Sequence, residues 1–371
     1  IQLQSGKKFD DVMTLFTPFA INSVTLRNRL VMPAMVLNHG TDEGFVNDAV
    51  VKHYAERARG GVGMIVVEAT GVLDRKSGRL LKVYDDKFIP GLRRVADVIH
   101  EGGARACIQL VHFLRVSRSG WRETPGDMSP SDIQQVVEDF ARASVRVREA
   151  GFDALELHMA HGYTLASFLS LLGNNRTDQY GRTMEGRLRL PTQVYERVRS
   201  EVGSDFVVGC RINGDEFVLG GNTLKQSRVI ARHLDKLGID YISVSAGGRP
   251  EDGPRYSGYS GSRAMCTDTM PDGVNVYLAA DIKRQVKAPV IAAGKIPTPD
   301  LAESILQQGQ ADLIGIARPL LADSEWPHKA KAGRWKEIRR CTYCCKCCVL
   351  DRNFERVYCV TWAERDRKKL L

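Results

Sequence analysis

The chain has 371 residues, with 53 Lys and Arg against 44 Asp and Glu and a formal net charge of +9. Hydrophobic content of 43% beside 26% charged residues is the balance of a folded globular chain, and it excludes disordered and collagen-like classes. No apolar run approaches the roughly 18–20 residues of a membrane span, and the opening IQLQSGKKFDDV lacks the apolar stretch of a signal peptide, so a cytoplasmic protein without a membrane partner is expected.

Residues 1–13 read as a polar N-terminal tail. After it, short runs rich in Val and Ile alternate with segments of helical period, the pattern of a parallel sheet covered by helices. Eight runs occur: Arg29–Met35, Gly63–Thr70, Ala104–His112, Ala154–Ala160, Phe206–Asn213, Tyr241–Ala246, Pro289–Gly294 and Asp312–Ala317. Between them lie amphipathic stretches such as 131–150, opened by a Ser-Pro-Ser-Asp start signal, and 224–237. The runs after residue 100 are almost continuously apolar, as strands buried on both faces must be. Eight strand-helix units predict an α/β fold, a closed TIM (β/α)8 barrel over 14–320. An open doubly wound sheet is the rival. The lack of a glycine-rich dinucleotide fingerprint after the first run, and the clustering of unusual polar residues at strand ends, favour the barrel.

Residues 321–371 follow as a short Cys-rich appendage. Its basic residues, among them Arg339, Arg340, Arg352, Arg356, Lys368 and Lys369, have few aromatics between them, so no nucleic-acid partner is expected. Six of the nine cysteines fall within 341–359. In a chain without a secretory signal such crowding favours a metal or cluster over disulfides.

A barrel of this kind carries its site at the carboxyl ends of the strands. Gln109 ends the third run, His158 the fourth with His161 and Tyr163 just beyond, and Arg211 the fifth, while Gly294 and Arg318 close the seventh and eighth. The segments Ala-Ala-Gly-Lys (292–295) and Gly-Ile-Ala-Arg (315–318) sit where such barrels bind phosphate through backbone N–H groups. Each glycine alone is better read as a turn residue. Together, with Lys295 and Arg318 beside them, they favour a phosphorylated cofactor. Two imidazoles can grip a carbonyl oxygen and a nearby phenol can deliver a proton, which suits His158, His161 and Tyr163 to an enolate-like transition state. Zinc on the two histidines ranks below this, because no carboxylate or third His lies at ligand spacing. Arg211 at an inward strand end needs an anion, either a bound cofactor or an internal partner such as Glu68 or Glu156.

These residues sit in ordered motifs: LFTPFAINSVTLRNRLVMPAM, YAERARGGVGMIVVEAT, IQLVH, GFDALELHMAHGYTLASFLS, NRTDQYG, CRINGDEF, VIAAGKI and ADLIGIARPLL. With them, residues 14–320 resemble the old yellow enzyme family of FMN-dependent ene-reductases. The resemblance implies that Pro33, Ala34, Met35 and Ala69 line the flavin ring and that Gln109 and Arg211 bond its pyrimidine side. It further implies that Gly294, Lys295, Gly315, Ala317 and Arg318 form the phosphate loops. His158 and His161 would hold the substrate oxygen, and Tyr163 would donate the proton. NAD(P)H, a small enone or enoate substrate and a homo-oligomeric assembly come with the family.

Cys341, Cys344, Cys347 and Cys359, read as C-x2-C-x2-C-x11-C, narrow the resemblance to the iron-sulfur branch, which includes trimethylamine dehydrogenase-like, 2,4-dienoyl-CoA reductase-like and bile-acid-pathway reductase-like members. That implies a [4Fe-4S] cluster. Cys348 is the alternative third ligand, and structural zinc is the alternative occupant. No second glycine-rich fingerprint follows, whereas longer members of the branch continue into FAD- and nucleotide-binding domains. Reducing equivalents are therefore expected from NAD(P)H over the FMN or from an electron-carrier protein. The segment from His112 to Ser129 is shorter than usual, which predicts a more open pocket and a bulkier substrate. Leu171, Arg182 and Gly186 depart from the family pattern in ways expected to alter loop packing rather than chemistry. Amine oxidation and a non-catalytic electron-transfer role are the competing functions. The histidine pair argues against the first, and Tyr163 against the second.

Overall fold

A computed structural model describes residues 13–115, 123–248 and 263–370, and each of the eight expected runs contains a strand. An antiparallel hairpin of Phe19–Ile21 (β1) and Val24–Leu26 (β2) comes first. Leu30–Met32 (β3), Met64–Gly71 (β4), Arg105–Val111 (β5), Ala154–Met159 (β6), Val207–Asn213 (β7), Tyr241–Ser245 (β8), Val290–Ala293 (β9) and Leu313–Gly315 (β10) follow. They close into a barrel in the order β10-β3-β4-β5-β6-β7-β8-β9, with every pair parallel.

Local chemistry sets the element limits. β3 ends at Met32 rather than Met35 because the next residue, Pro33, has no N–H for the ladder. β10 ends at Gly315 because Ile316 caps the helix Ala317–Ala322. The helix Leu224–Leu237 starts at a reciprocal capping box between Thr223 and Gln226 and stops at left-handed Gly238. The helix Pro130–Glu149 starts where Ser129 and Asp132 make the same exchange.

Alternation along the strands divides most of the apolar residues between two cores, with a small third cluster of Ala69, Leu80 and Val111. Val31, Val66, Cys107, Val207, Tyr241 and Ile291 point into the barrel, where Ile21 and Leu26 of the hairpin join them. Met64, Ala154 and Leu313, which open their strands, belong to the same cluster, so the hairpin plugs the amino-terminal end. The larger core fills the shell between barrel and helices. The appendage docks onto that shell: Trp326, Leu350 and Val357 are buried in it, and Val357 N–H donates to the Leu37 carbonyl at 2.8 Å.

Of the three family departures, Leu171 is exposed, Arg182 takes a left-handed φ of 60°, and Gly186 lies in the first turn of the helix Met184–Val202, where Thr183 accepts its N–H. The breadth of the pocket, expected from the short segment after His112, falls partly on 116–122, which lie outside the described residues. Among the described residues no helix is long and apolar enough to cross a membrane.

Candidate active site

Register brings the polar strand ends together. His158 on β6 pairs with Arg211 on β7, which pairs with Ser243 on β8, and Gln109 on β5 pairs with Glu156 on β6. Beyond β6 the chain turns sharply, with left-handed φ values of 59° at His161 and 69° at Gly162. Such a conformation costs a side-chain-bearing residue about 1–2 kcal/mol and persists where surrounding contacts enforce it. Here the turn folds His161 back against His158, edge to face with centroids 5.2 Å apart, and sets the Tyr163 ring 4.8 Å from that of His158. Tyr163 packs beside Ala69, Leu80 and Val111. Thr164 donates its N–H to the His112 carbonyl at 3.1 Å and its Oγ1 lies 2.8 Å from His112 Nδ1, which ties the turn to the end of β5.

Burial, with Arg211 adding, holds His161 down at about 3. Burial, with His161 and Arg211 adding, holds His158 well below the ordinary imidazole value. Both rings are therefore neutral at pH 7, and each has one N–H to give. His161 Nε2 lies 2.7 Å from Ser245 Oγ, whereas His158 Nδ1 is buried without a partner among the described residues. Two neutral donors and a phenol thus converge at one end of the barrel, a grouping able to hold a carbonyl oxygen and supply a proton nearby.

Arg211 reaches across this end of the barrel, where its Nη1 donates to the Ala34 carbonyl at 3.0 Å and its buried Nε has no partner among the described residues. Of the two acids weighed from sequence, Glu156 is the one whose charge it feels. Glu68 instead accepts the Leu37 N–H and faces Tyr54 in the outer shell. Pro33, Ala34 and Met35 leave the end of β3, and Ala69 sits at the register shift near the end of β4.

Gly315 makes a cradle at the ends of three strands, since a Cβ there would lie 2.9 Å from Pro33 Cγ and 3.0 Å from Ala293 Cβ. Gly294 and Lys295 turn through φ values of 120° and 55° beside it. The two adjacent cations are already engaged. Lys295 Nζ donates to the carbonyls of Asp268 and Met270, while Arg318 Nη1 donates to the Cys266 carbonyl at 2.7 Å and lies 3.4 Å from Cys345 Sγ. Both face the ring of Tyr343, at 5.3 and 4.8 Å. The glycine turns, a backbone cradle and an arginine with an orphaned N–H fit a flavin phosphate and ring. Ala317 opens the helix beside them.

Cys341, Cys344, Cys347 and Cys359 line one small cavity with Cys345 and Arg318, while Cys348 is not in its wall. Tyr343 N–H donates to Cys341 Sγ at 3.4 Å. A hydrogen bond from Cys348 pulls Cys345 down to about 6, with Arg318 adding, and burial pushes Cys341 up to about 11. No disulfide joins any of the nine cysteines, and among the described residues no group of three or more His, Cys, Asp or Glu is placed to hold a metal ion. The four thiols share a cavity without the spacing of a formed cluster.

Sequence reasoning missed Ser245, the His112–Thr164 tie and Tyr241. The first could be read from the Ser-Val-Ser end of its strand, but the others depend on cross-strand register.

Residues 14–337 match the NADH:flavin oxidoreductase / NADH oxidase family, and the chain belongs to it. The old yellow enzyme resemblance is thereby borne out. The chain is 36% identical over 362 residues to an NADH oxidase of Thermoanaerobacter brockii, covering 92% of this chain and 54% of that protein. It is 35% identical over 333 residues to an NADPH dehydrogenase of Geobacillus sp. strain WCH70, covering 85% of this chain and 93% of that one. A solved 2-naphthoyl-CoA reductase in complex with 2-naphthoyl-CoA superposes with a TM-score of 0.86 at 25% identity, over 96% of this chain and 58% of the other. The chain thus spans about half the length of the first of these relatives.

Proposed function

We propose that the chain is an FMN-dependent oxidoreductase that reduces the C=C bond of an α,β-unsaturated carbonyl compound, with NAD(P)H as the reductant. The observation that carries this reading is the convergence of His158, His161 and Tyr163 at the end of the barrel beside Arg211 and Gln109. FMN, when bound, supplies the hydride chemistry at the alkene β-carbon. His158 and His161, both neutral, donate to the carbonyl oxygen and stabilise charge that develops there. Tyr163 delivers a proton to the α-carbon. Pro33, Ala34, Met35 and Ala69 bound the ring, Gln109 and Arg211 bind its polar edge, and Gly294, Lys295, Gly315, Ala317 and Arg318 receive the phosphate, with the backbone N–H groups foremost.

Cys341, Cys344, Cys347 and Cys359 are assigned to a [4Fe-4S] cluster. Support comes from their shared cavity and from the exclusion of Cys348 from its wall, which favours Cys347 as third ligand. Zinc would use the same thiolates. An electron-carrier protein, a homo-oligomer and a cytoplasmic setting complete the reading.

The test is anaerobic purification with flavin, iron, zinc and sulfide analysis on one sample, followed by NADH- and NADPH-dependent turnover of 2-cyclohexenone and of a tertiary amine. FMN with about four iron and four sulfide per chain, and turnover of the enone, are the expected results. Turnover of the amine alone overturns the ene-reductase assignment. Zinc in place of iron overturns the cluster and leaves the flavin reading standing.

A further inference from the structure

Beneath the carboxyl end of the barrel lies a polar layer of which the strand-end chemistry uses Gln109 alone. Gln109, Glu156 and Gly209 are register neighbours on β5, β6 and β7, and Tyr241 is the neighbour of Gly209 on β8. Register partners face one side of a sheet, and Tyr241 packs with Cys107 and Val207 inside the barrel, so all four positions look inward at one level. A Cβ at Gly209 would stand 2.1 Å from Tyr241 Cε1 and Cζ, so a residue with a side chain would block the path of that ring across β7. Through this gap the Tyr241 hydroxyl donates to Glu156 Oε2 at 3.1 Å, while Gln109 Nε2 donates to Oε1 at 2.6 Å.

All three side chains are buried, Glu156 to 1% exposure. A carboxylate taken out of water is tolerated only when its oxygens are satisfied and its charge is met. Both oxygens are occupied here. Burial raises Glu156 above the ordinary carboxylate value, and the positive charge that opposes it comes from Arg211, two residues above Gly209 on β7. Arg211 in turn has Glu156 below it and an N–H of its own without a partner among the described residues. The carboxylate also decides how the neighbouring amide stands. An ionised Glu156 only accepts, so Gln109 must turn its NH2 downward and keep its carbonyl free for a donor.

We infer that Glu156 is a positioning residue for the flavin: it fixes the orientation of Gln109 and offsets the charge of Arg211, and so limits how strongly Arg211 favours the anionic, reduced cofactor. The inference rests on the flavin reading of the site and is independent of the substrate. The experiment measures the midpoint potential of FMN-loaded wild type, Glu156→Gln, Glu156→Asp and Tyr241→Phe at pH 7 against reference dyes. Glu156→Gln removes the negative charge at equal volume. At the wild-type midpoint its ratio of reduced to oxidised flavin is expected to rise at least tenfold, about 30 mV upward for a two-electron couple. Glu156→Asp keeps the charge and is expected to hold near the wild-type potential. Tyr241→Phe withdraws a donor that shares the charge of the carboxylate, so Glu156 is expected to offset Arg211 more strongly and to move the potential downward by less than Glu156→Gln moves it upward. Weakened FMN binding with an unchanged potential in the loaded fraction would make Glu156 structural and overturn the inference. Should Glu156→Gln fail to fold, an unshifted Tyr241→Phe overturns it equally. Wild type that neither carries nor binds FMN would instead remove the flavin reading, and the inference with it.

Discussion

His161 sits in a backbone conformation that few residues with a Cβ adopt, and its ring is held by Ser245 on one side and stacked edge-on against His158 on the other. The two imidazoles are therefore supported differently. His161 Nε2 is paired within the fold at 2.7 Å, while His158 owes its place to packing. Removing a donor that meets a developing oxyanion raises the barrier by about 2.7–4 kcal/mol, so His158→Ala should slow re-oxidation of the reduced enzyme by 2-cyclohexenone on the order of 100-fold or more. Removing a neutral hydrogen bond that only orients a donor forfeits about 1 kcal/mol, so Ser245→Ala should slow it about fivefold. Stopped-flow traces of both variants, each with full flavin, decide the order. A larger effect at Ser245 would mean that His161 alone grips the oxygen. The convergence of His158 and His161 could be read from sequence because a barrel gathers its strand ends, and a strand end can be read from apolar run length. Their neutral state could not, since it follows from burial and from Arg211 on another strand.

The strands of the barrel wall were legible to within a few residues because burial on both faces leaves them almost wholly apolar. Errors came where one residue type cut a run short, as Pro33 does after β3. The β1–β2 hairpin escaped notice for a different reason: three-residue strands around Asn22 and Ser23 carry too few alternations to register as strands. Its role becomes apparent only with the barrel closed, when Ile21 and Leu26, 1% and 0% exposed, fill the amino-terminal end of the interior. Truncating either to Ala leaves a cavity among residues that belong to several strands and cannot collapse independently. Each should cost about 2–5 kcal/mol of unfolding free energy. Urea unfolding followed by circular dichroism would measure it. A loss well below 1 kcal/mol would mean that the hairpin lies loosely over the barrel rather than plugging it.

Buried titratable groups tie the whole molecule to pH in two opposite ways. Burial pushes His39 down to about 4 and His112 and His161 to about 3, and holds His53 and His158 well below 6.5. For a depressed histidine the unfolded chain takes up the proton first. Its contribution is present above the unfolded value near 6.5 and is lost as pH falls toward the folded value, at a slope of about 1.4 kcal/mol per pH unit for each proton. Glu68 and Glu216 act in the other direction, because burial raises them to about 8 and about 7. For a raised carboxyl the contribution is full below the unfolded value near 4.5 and declines as pH rises through the folded value. Among the buried histidines and carboxyls, five histidines oppose Glu68, Glu216 and Glu156 between 4.5 and 6.5, and above 6.5 these acids act without the histidines. Stability should therefore peak near pH 6.5, with a steep acid limb and a shallow alkaline one. Glu68→Gln keeps an acceptor for the Leu37 N–H and removes the titration, so it should flatten the alkaline limb and leave the acid limb in place. The histidines lie both at the active-site end, at 112, 158 and 161, and beside the appendage, where His39 Nε2 meets the Val357 carbonyl at 2.7 Å. Acid should consequently release flavin and unfold the chain in one transition. Denaturant midpoints from pH 4.5 to 8.5, with flavin fluorescence recorded on the same samples, check both statements. Flavin release a full pH unit before loss of secondary structure would show that the site opens without the appendage seam.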